Sequence, residues 1–435
     1  MRKISTLLPL LAAIATGWAA PAWAELRIQI TKGASEAVPI AVVPFGWEAR
    51  GAEPPVDVAA VIAADLASSG RFAPMERKDM VGRPTQPEQV RLEDWRLLKT
   101  DVVVIGRVLP AESGRYELQF HVFDVYRNQP LMAYSLKAPA DNLRGGAHRV
   151  ADMIFERLTG IPGVFTTRIA YVTVEKSGDN STYRLVVADA DGANAVEIAE
   201  SAEPLMSPAW SPDGRRLAYV SFEKKASAVY VQELRTGQRR IISSHPGING
   251  APAWSPDGQQ MAVALSREEG NLDIYVITLD SNKMRRITRN PAIDTEPAWA
   301  PDGSALYFTS DRSGGPQTYY VRLDSENARR VTFEGSYNAR PRVSPDGRSL
   351  AVVHNDRGNY RVALVDIRRG TVQVLSDGRQ DESPDFAPNG SMIIYATRDA
   401  GRGVLAAVST DGRVQQRIAA TEGEVREPVW SPYSR

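Results

Sequence analysis

The sequence predicts two folded domains, an N-terminal α/β domain followed by a six-bladed β-propeller. Three observations predict this fold class: a short motif recurs at constant spacing, β-rich runs follow each copy, and the N-terminal third mixes helix and strand patterns instead. The 435 residues are too many for one ordinary core. Since 43% of them are apolar, the composition is that of a globular protein.

The first 24 residues have the pattern of a removable signal peptide. Arg2 and Lys3 precede the short apolar run STLLPLLAAIATGWAA, and the stretch AWA fits the small-x-small cleavage pattern. We therefore expect cleavage between Ala24 and Glu25. Proline and glycine interrupt the run, which is shorter than the roughly 20 apolar residues that a membrane span needs.

The composition also restricts the compartment and the partners. The chain has no cysteine, so neither a lipid-modified N-terminal cysteine nor a disulfide can form. Its 52 basic and 52 acidic residues balance, and no basic patch for nucleic acid or anionic lipid is evident. We expect a soluble, monomeric product without membrane insertion, in the periplasm of a Gram-negative cell.

Residues 25–160 form the predicted α/β domain. Strands are predicted in ELRIQITKG, VPIAVVPFG, DVVVIGRVL, YELQFHVFDVY and LMAYSLKAP, and helices start near Asp57, Glu88 and Asn142. The last helix should end near Gly160, because Pro162 lies just beyond it. Residues 161–166 are then the predicted hinge to the second domain.

A seven-residue motif sets the architecture of residues 167–433. The stretch PAWSPDG begins at Pro208 and returns, with small changes, at Pro252, Pro297, Pro341, Pro384 and, truncated, at Pro428. The spacing of about 44 residues is typical of four-stranded propeller blades. Each copy is followed by apolar runs such as RLAYVSF and LDIYVITL, as expected for sheets that pack on both faces.

The unequal ends of the repeat array predict how the ring closes. Before the first motif, the runs TRIAYVTV, YRLVVAD and AVEIAE supply three strands of a blade that lacks its opening strand. After the last complete repeat, Glu427 to Pro432 supply an opening strand that lacks its blade. We therefore predict six blades, with the C-terminal strand completing the first.

The aspartates of the motif are predicted to form turns. In SPDG, proline suits the second position of a tight turn, aspartate caps backbone amides and glycine takes the positive φ. Asn389 replaces aspartate in one copy, and an amide cannot act as a general base. We interpret Asp213, Asp257, Asp302 and Asp346 as structural, and the neighbouring tryptophans as wedges between blades.

The sequence indicates no catalytic centre. There is no G-x-S-x-G elbow and no thiol, and the four histidines, His121, His148, His245 and His354, lack the spacing of a zinc site. Hence no catalytic residue, metal or cofactor is predicted.

The loops that enter the opening strands vary most between repeats. In a propeller they surround one mouth of the central channel, so Glu203, Asp294, Glu296, Glu382 and Glu427 would form an acidic ring interspersed with Arg340 and Arg426. Three interpretations stay open: solvated loop acids, a docking surface for a protein or peptide, and a calcium site of a propeller lyase or lactonase.

The whole chain resembles the TolB family, the periplasmic propellers of the Tol-Pal cell-envelope system. The resemblance rests on VPIAVVPFG, NGAPAWSPDG, TEPAWAPDG, SPDFAPNG and EPVWSPY occurring together in this order. It implies a non-enzymatic adaptor that binds the peptidoglycan-associated lipoprotein Pal and the inner-membrane-linked protein TolA. Its roles would be outer-membrane integrity and constriction at division, with colicins or phage proteins as further partners.

The resemblance also implies where these partners bind. Pal would contact the mouth through His245, Ile248, Asn249, Gly250, Ala251, Asp294, Thr295 and Glu296, with Glu203, Tyr337, Asn338, Glu382 and Arg426 on further mouth loops. TolA would bind the mature N-terminus, namely Glu25, Leu26, Arg27, Ile28, Gln29, Ile30, Thr31 and Lys32. One position departs from the family: a histidine usually precedes NGAP, whereas here Ile248 does and His245 lies three residues earlier.

Overall fold

The protein has the predicted α/β domain followed by a six-bladed β-propeller. The structure, a computed structural model, describes residues 26–32, 37–48, 54–267, 270–420 and 423–433. The expected signal peptide and its cleavage site, Ala24 and Glu25, lie outside these residues. Six of the seven sheets form the blades and the seventh belongs to the α/β domain, so the predicted fold class is confirmed.

The α/β domain is built on one mixed sheet. Its strands are Val38–Val42, Gly46–Trp47, Phe72–Pro74, Val102–Ala111, Arg115–Asp124 and Gln129–Pro139. Val38–Val42 pairs in parallel with Phe72–Pro74 and with Val102–Ala111, and the last three strands form an antiparallel meander. Three helices pack on this sheet.

The helices cover both faces of the sheet. Val58–Ser68 and Leu143–Thr159 pack on one face, and Leu92–Leu97 packs on the other. Short 3₁₀ turns occupy Arg77–Asp79, Pro87–Gln89 and Ala140–Asn142. The long third helix begins where the Asn142 side chain accepts from the Gly145 amide at 3.1 Å and ends at Gly160, whose φ is 73°.

Each blade is a four-stranded antiparallel sheet whose opening strand lines the central channel. Blades 1 to 6 are numbered along the chain, and the strand at the C-terminus belongs to blade 1. Their strands are Arg168–Ser177, Asn180–Asp189, Val196–Ser201 and Glu424–Trp430 in blade 1; Leu205–Trp210, Arg216–Ser221, Ala228–Glu233 and Arg239–Ser243 in blade 2; Asn249–Trp254, Gln260–Leu265, Asp273–Thr278 and Met284–Arg286 in blade 3; Asp294–Trp299, Ala305–Ser310, Gln317–Arg322 and Arg329–Arg330 in blade 4; Asn338–Val343, Ser349–Asp356, Asn359–Asp366 and Val372–Val374 in blade 5; and Glu382–Phe386, Met392–Asp399, Arg402–Ser409 and Gln415–Ala420 in blade 6.

The two ends of the propeller sequence meet in blade 1. The C-terminal strand, Glu424–Trp430, pairs antiparallel with Arg168–Ser177, with Val425 opposite Thr173 and Trp430 opposite Ile169. We call it the closing strand. Its inner position in blade 1 corresponds to that of the opening strand in each other blade, so it covers an edge that would otherwise be free.

The N-terminal strand belongs to the propeller sheet system. Leu26–Lys32 pairs antiparallel with Gln415–Ala420 and forms a fifth, outermost strand of blade 6. The range 25–160 grouped this segment with the α/β domain, whereas its hydrogen-bonded neighbour is a propeller strand. The motif ELRIQITKG indicates a strand but carries no information about which sheet edge it joins.

Tryptophans connect neighbouring blades, as the repeat pattern indicates. The Trp254 indole Nε1 donates to the Ala209 carbonyl oxygen at 3.1 Å, and Trp299 donates to Ala253 at 3.0 Å. Each indole therefore packs between two blades, and its N–H donates to a carbonyl oxygen of the opening strand of the preceding blade.

The α/β domain contacts the propeller on the face that carries the SPDG-type turns. The Asn389 side chain donates to the Pro162 carbonyl oxygen at 2.8 Å, and Val164 packs against Ala387 and Met392. Because the opening strands run from the mouth loops to these turns, the mouth lies on the opposite face. Among the described residues, no helix has both the length and the apolar character needed to cross a membrane.

Candidate functional site at the propeller mouth

Six non-glycine residues with positive φ surround the channel just inside the mouth. Each lies directly before the first proline of a repeat, at a register shift in the opening or closing strand. They are Ser207, Ala251, Glu296, Arg340, Ser383 and Glu427, with φ between 48° and 54°. A left-handed residue at a β-bulge is costly for side chains other than glycine, and such residues concentrate at functional sites.

A proline follows each of these residues, and the position of the strands explains why a proline is tolerated there. These strands form the inner edge of their blades, where a missing N–H need not break a ladder. Pro252, for example, lies within the register shift between Gly250 and Ala253. The bulge changes the direction of the side chain that lies directly before the proline. Consequently Ala251, Glu296 and Arg340 all line one small cavity at the mouth.

Arg340 neutralises the acidic ring at the centre of this cavity. Its Nε donates to Glu296 at 2.7 Å, and its guanidinium also contacts the Ser383 hydroxyl. Burial disfavours the charged form of Arg340, but the carboxylates of Glu296, Glu427 and Glu382 outweigh this and raise its pKa. Arg340 and the carboxylates around it therefore form a paired charge network at the mouth.

Three of the carboxylates that a calcium site at the mouth would need are already engaged by other groups of the chain. Glu203 pairs with Lys225, Glu296 pairs with Arg340, and Glu427 accepts from the Ser207 amide. Among the described residues, one group of three carboxylate or imidazole side chains brings its donor atoms within 4.8 Å of one another, and it lies at the domain interface.

Asn249 shapes a mouth loop from a fully buried position. Its side-chain Oδ1 accepts from the His245 amide at 2.9 Å and from the Ser243 hydroxyl at 2.6 Å, and its Nδ2 donates to the His245 carbonyl at 2.6 Å. These bonds fold residues 243–249 into a compact loop and turn Ile248 outward. Asn249 thus positions the surface and does not itself reach solvent.

Asp294 and Asn338 occupy the equivalent buried positions in blades 4 and 5. Arg312 donates to both Asp294 carboxylate oxygens, at 2.8 and 2.7 Å, whereas the Asn338 Oδ1 lies 2.8 Å from His354 Nδ1. Burial raises the pKa of Asp294 even though Arg312 and Ser310 favour its charged form. Three predicted site residues therefore anchor loops from within.

Apolar side chains are exposed in an arc along the same loops. Ile248 and Ile293 occupy the same repeat position, four residues before the proline, and are 54% and 50% exposed. Farther round the mouth, Phe333 is 67% exposed, and Tyr360 stacks edge-on against Tyr337 with ring centroids 5.1 Å apart. We call these five residues the apolar arc. Such an exposed arc with a polar surround is typical of a protein-binding surface.

The remaining predicted residues lie around the arc. Gly250 and Thr295 are half-buried at the starts of their strands, Glu382 is exposed, and Arg426 pairs with Glu424. His245 is half-buried, and burial together with the charge of Arg267 lowers its pKa. At neutral pH His245 is therefore an uncharged polar group beside Ile248.

The motif aspartates form turns on the opposite face. The Asp213 carboxylate accepts from the Ser211 hydroxyl at 2.5 Å and from the Arg215 amide at 3.1 Å, and the φ of Gly214 is 67°. The Asn389 side-chain oxygen accepts from the Ser391 amide at 2.9 Å in the same way. The structural interpretation of the motif is confirmed, and these residues lie far along the channel from the mouth loops.

Sequence reasoning missed several residues of the mouth. Ile293, Phe333 and Tyr360 were not predicted, although Ile248 and Ile293 share one repeat position and an alignment of the six repeats would have paired them. Arg312 lies 18 residues from Asp294, on the following hairpin. Only the folded blade brings those two charges together.

Fold and mouth together define a class: a two-domain propeller protein whose mouth loops carry an exposed apolar arc. Two families match: the TolB amino-terminal domain matches residues 26–131 and the TolB beta propeller domain matches residues 155–434. The chain belongs to the TolB family.

Similar proteins agree over nearly the whole length. The chain is 56% identical to the Tol-Pal system protein TolB of Nitrosococcus oceani, over 94% of each chain, and 55% identical to that of Thioalkalivibrio sulfidiphilus, over 95% of each chain. The crystal structure of TolB from Acinetobacter baumannii is 40% identical, with a TM-score of 0.87, and the match covers 94% of this chain and all of that one. None of these names denotes an enzyme.

Proposed function

We propose that this protein is a periplasmic adaptor that binds the lipoprotein Pal at the propeller mouth and TolA through its N-terminal strand. Membership of the TolB family makes the Tol-Pal system the source of partners. Through these two contacts the protein would couple the outer membrane to the inner-membrane machinery, in envelope integrity and in constriction at division. Colicins or phage proteins that compete for the mouth would use the same surface.

The apolar arc is the single observation that carries the Pal assignment. Ile248 and Ile293 present about half of their surface to solvent although hydrogen bonds to polar side chains fix the loops that carry them. A surface held rigid in this way loses little conformational entropy on binding. Burying apolar side chains of this size contributes roughly 1.5–3 kcal/mol each when burial is complete.

The mouth also explains how an isoleucine can stand where the family usually has histidine. The Ile248 amide donates to the Ser266 hydroxyl at 2.7 Å, so the loop holds this position outward whatever its side chain. Ile248 supplies apolar contact, and His245 supplies a neutral hydrogen-bonding group nearby. The partner surface opposite this loop should accordingly be apolar.

Replacing Ile248 by aspartate should weaken Pal binding about 10- to 100-fold, because a solvated carboxylate would have to be desolvated in an apolar contact. Titration calorimetry with the Pal domain from the same organism measures the change. Val196→Asp is the matched control: Val196 is 57% exposed on the outer strand of blade 1, away from the mouth. If Ile248→Asp bound Pal with the affinity of the wild type, Pal would bind elsewhere and the assignment of its site to the mouth would be refuted.

The N-terminal strand is suited to a second, separate contact. It is the outermost strand of blade 6, so one of its edges pairs with Gln415–Ala420 and its release breaks one ladder only. Extended segments of this kind are bound by partner sheets through backbone hydrogen bonds. The segment is therefore available to TolA without disturbing the channel.

Deleting residues 25–32 should abolish TolA binding and leave Pal binding unchanged, because the deletion removes a peripheral strand and no mouth residue. Size-exclusion binding assays with the TolA C-terminal domain and with Pal make the comparison. A chain whose residues 25–32 are kept but shuffled in order controls for strand length. TolA binding that survives the deletion would contradict the proposal.

A further inference from the structure

A cluster of charged side chains lies between the two domains and takes no part in the proposed binding surfaces. Asp65 comes from the first helix, Arg144 and His148 come from the third helix, and Asp191 comes from a turn of blade 1. We call these four residues the interdomain cluster. Asp65 and His148 are almost completely buried, at 3% and 2% exposed.

The imidazole of His148 links the two domains. Its Nδ1 lies 2.7 Å from Asp65 Oδ2 within the α/β domain, and its Nε2 points across the interface to Asp191 Oδ2 at 3.7 Å. The Nε2 atom is buried and makes no hydrogen bond in the structure. Arg144 pairs with the same Asp191 carboxylate, so Asp191 receives one fixed cation and faces one titratable group.

Further carboxylates surround the cluster. Asp152, on the third helix, accepts from the Phe165 amide at 2.7 Å and from the Thr166 hydroxyl at 2.6 Å, and so holds the segment that joins the domains. Asp189 precedes Asp191 in blade 1 and accepts from Asn194 at 2.7 Å. Four carboxylates thus face one guanidinium and one imidazole, and carboxylates of both domains repel each other when the imidazole is neutral.

We infer that a proton held by the Asp65–His148 pair latches the α/β domain onto blade 1, so that the domain contact tightens in acid and loosens as the pH rises. The pairing of His148 with Asp65 lies within one domain and survives opening. The attraction of the protonated imidazole for Asp191 exists only in the closed arrangement, and this difference makes the contact pH-dependent.

Four ionisable groups at this interface have raised pKa values. Burial lowers the pKa of His148, but Asp65 and Asp191 outweigh it and raise this pKa. Burial raises the pKa of Asp65 to about 6, and it also raises the pKa values of Asp152 and Asp189. These raised pKa values belong to the closed protein, and we expect them to fall when opening hydrates the groups. Protons are then taken up on closing, so the stabilising contribution is complete in acid and is lost as the pH rises through the raised values.

The interface has room for the water that opening requires. A cavity of about 40 Å³ adjoins Asp65 and Asp191 and extends toward Asn389 and Trp430. That volume is enough for water beside polar walls. When the two domains separate at this point, water reaches the carboxylates without the prior exposure of an apolar core.

Pulsed electron paramagnetic resonance on the full mature chain tests the latch. Because the chain has no cysteine, spin labels can be placed at Glu93→Cys and Lys224→Cys, two exposed sites on different domains. Between pH 5.5 and 8.5 we expect a second, more widely spread distance population whose ratio to the closed one rises by up to about tenfold per pH unit for one linked proton. A distance distribution that is the same at all these pH values would overturn the inference.

Three substitutions assign the effect to the cluster. His148→Gln keeps a hydrogen-bonding partner for Asp65 but cannot carry a charge, so the pH slope should vanish. Asp191→Asn, on the propeller turn, should also flatten the slope without touching the helical core, and it decides the matter if His148→Gln does not fold. His121→Gln, on the sheet face opposite the first and third helices, should keep the wild-type slope. Retention of that slope in Asp191→Asn would contradict the latch.

Discussion

Val425→Asp should destabilise the protein by about 4 kcal/mol, since Val425 is fully buried on the closing strand between blades 1 and 6. The side chain packs with Tyr171 and Ile394, so a carboxylate there would be buried among apolar side chains. Because the closing strand is held only by non-covalent contacts, the loss should appear as unfolding of the whole ring. Urea denaturation followed by tryptophan fluorescence gives the difference in free energy.

Val196→Asp provides the comparison within the same blade. Val196 is mostly exposed on the outermost strand of blade 1, so the same chemical change should alter stability by about 0.5 kcal/mol or less. A Val425→Asp variant as stable as Val196→Asp would mean that the closing strand contributes little to holding the ring together.

The repeated motif explains why the fold could be predicted so fully from sequence. Each copy of PAWSPDG combines a turn with backbone requirements at Gly214 and its equivalents and a tryptophan that needs a partner blade. Because every blade has these local requirements, the residues that meet them recur at a constant spacing in the sequence. The third helix was likewise predictable at both ends, because Asn142 and Gly160 carry the chemistry of caps.

The features that escaped prediction depend on contacts between distant residues. Nothing in ELRIQITKG distinguishes an edge of the α/β sheet from the edge of Gln415–Ala420, which lies almost 400 residues away. Asp65 and His148 are 83 residues apart and meet only when two helices pack. The left-handed conformation of Arg340 was equally hidden, since a residue before proline is normally extended and the bulge arises from the register of the whole strand.

One buried position of the repeat, three residues before its first proline, holds asparagine in some blades and aspartate in others. Asn249, Asp294, Asn338 and Asp381 are equivalent and fully buried, and each is satisfied by its own set of neighbours. Asparagine needs only neutral partners, whereas Asp294 relies on the guanidinium of Arg312. Asp294 therefore makes blade 4 dependent on one residue of the following hairpin.

Arg312→Leu should destabilise the protein by about 3–5 kcal/mol at pH 7, because it leaves the Asp294 carboxylate buried without its cation. Adding Asp294→Asn should restore most of the loss, since blades 3 and 5 already hold asparagine at this position. Chemical denaturation of wild type, both single variants and the double variant gives the coupling between the two side chains. Arg322→Leu, which removes an exposed guanidinium in the same blade, should leave stability unchanged.

The pH dependence separates lost charge pairing from lost packing. Burial already raises the pKa of Asp294 in the native protein, and removing Arg312 takes away a group that favours its charged form. The native state of Arg312→Leu then binds a proton more tightly than the unfolded chain does. Its deficit should be complete near neutral pH and should shrink as the pH falls toward the ordinary aspartate pKa of about 3.9. A deficit that is equally large at pH 7 and pH 4.5 would identify the stacking of the Arg312 guanidinium on Phe308 and Tyr319 as the main contribution.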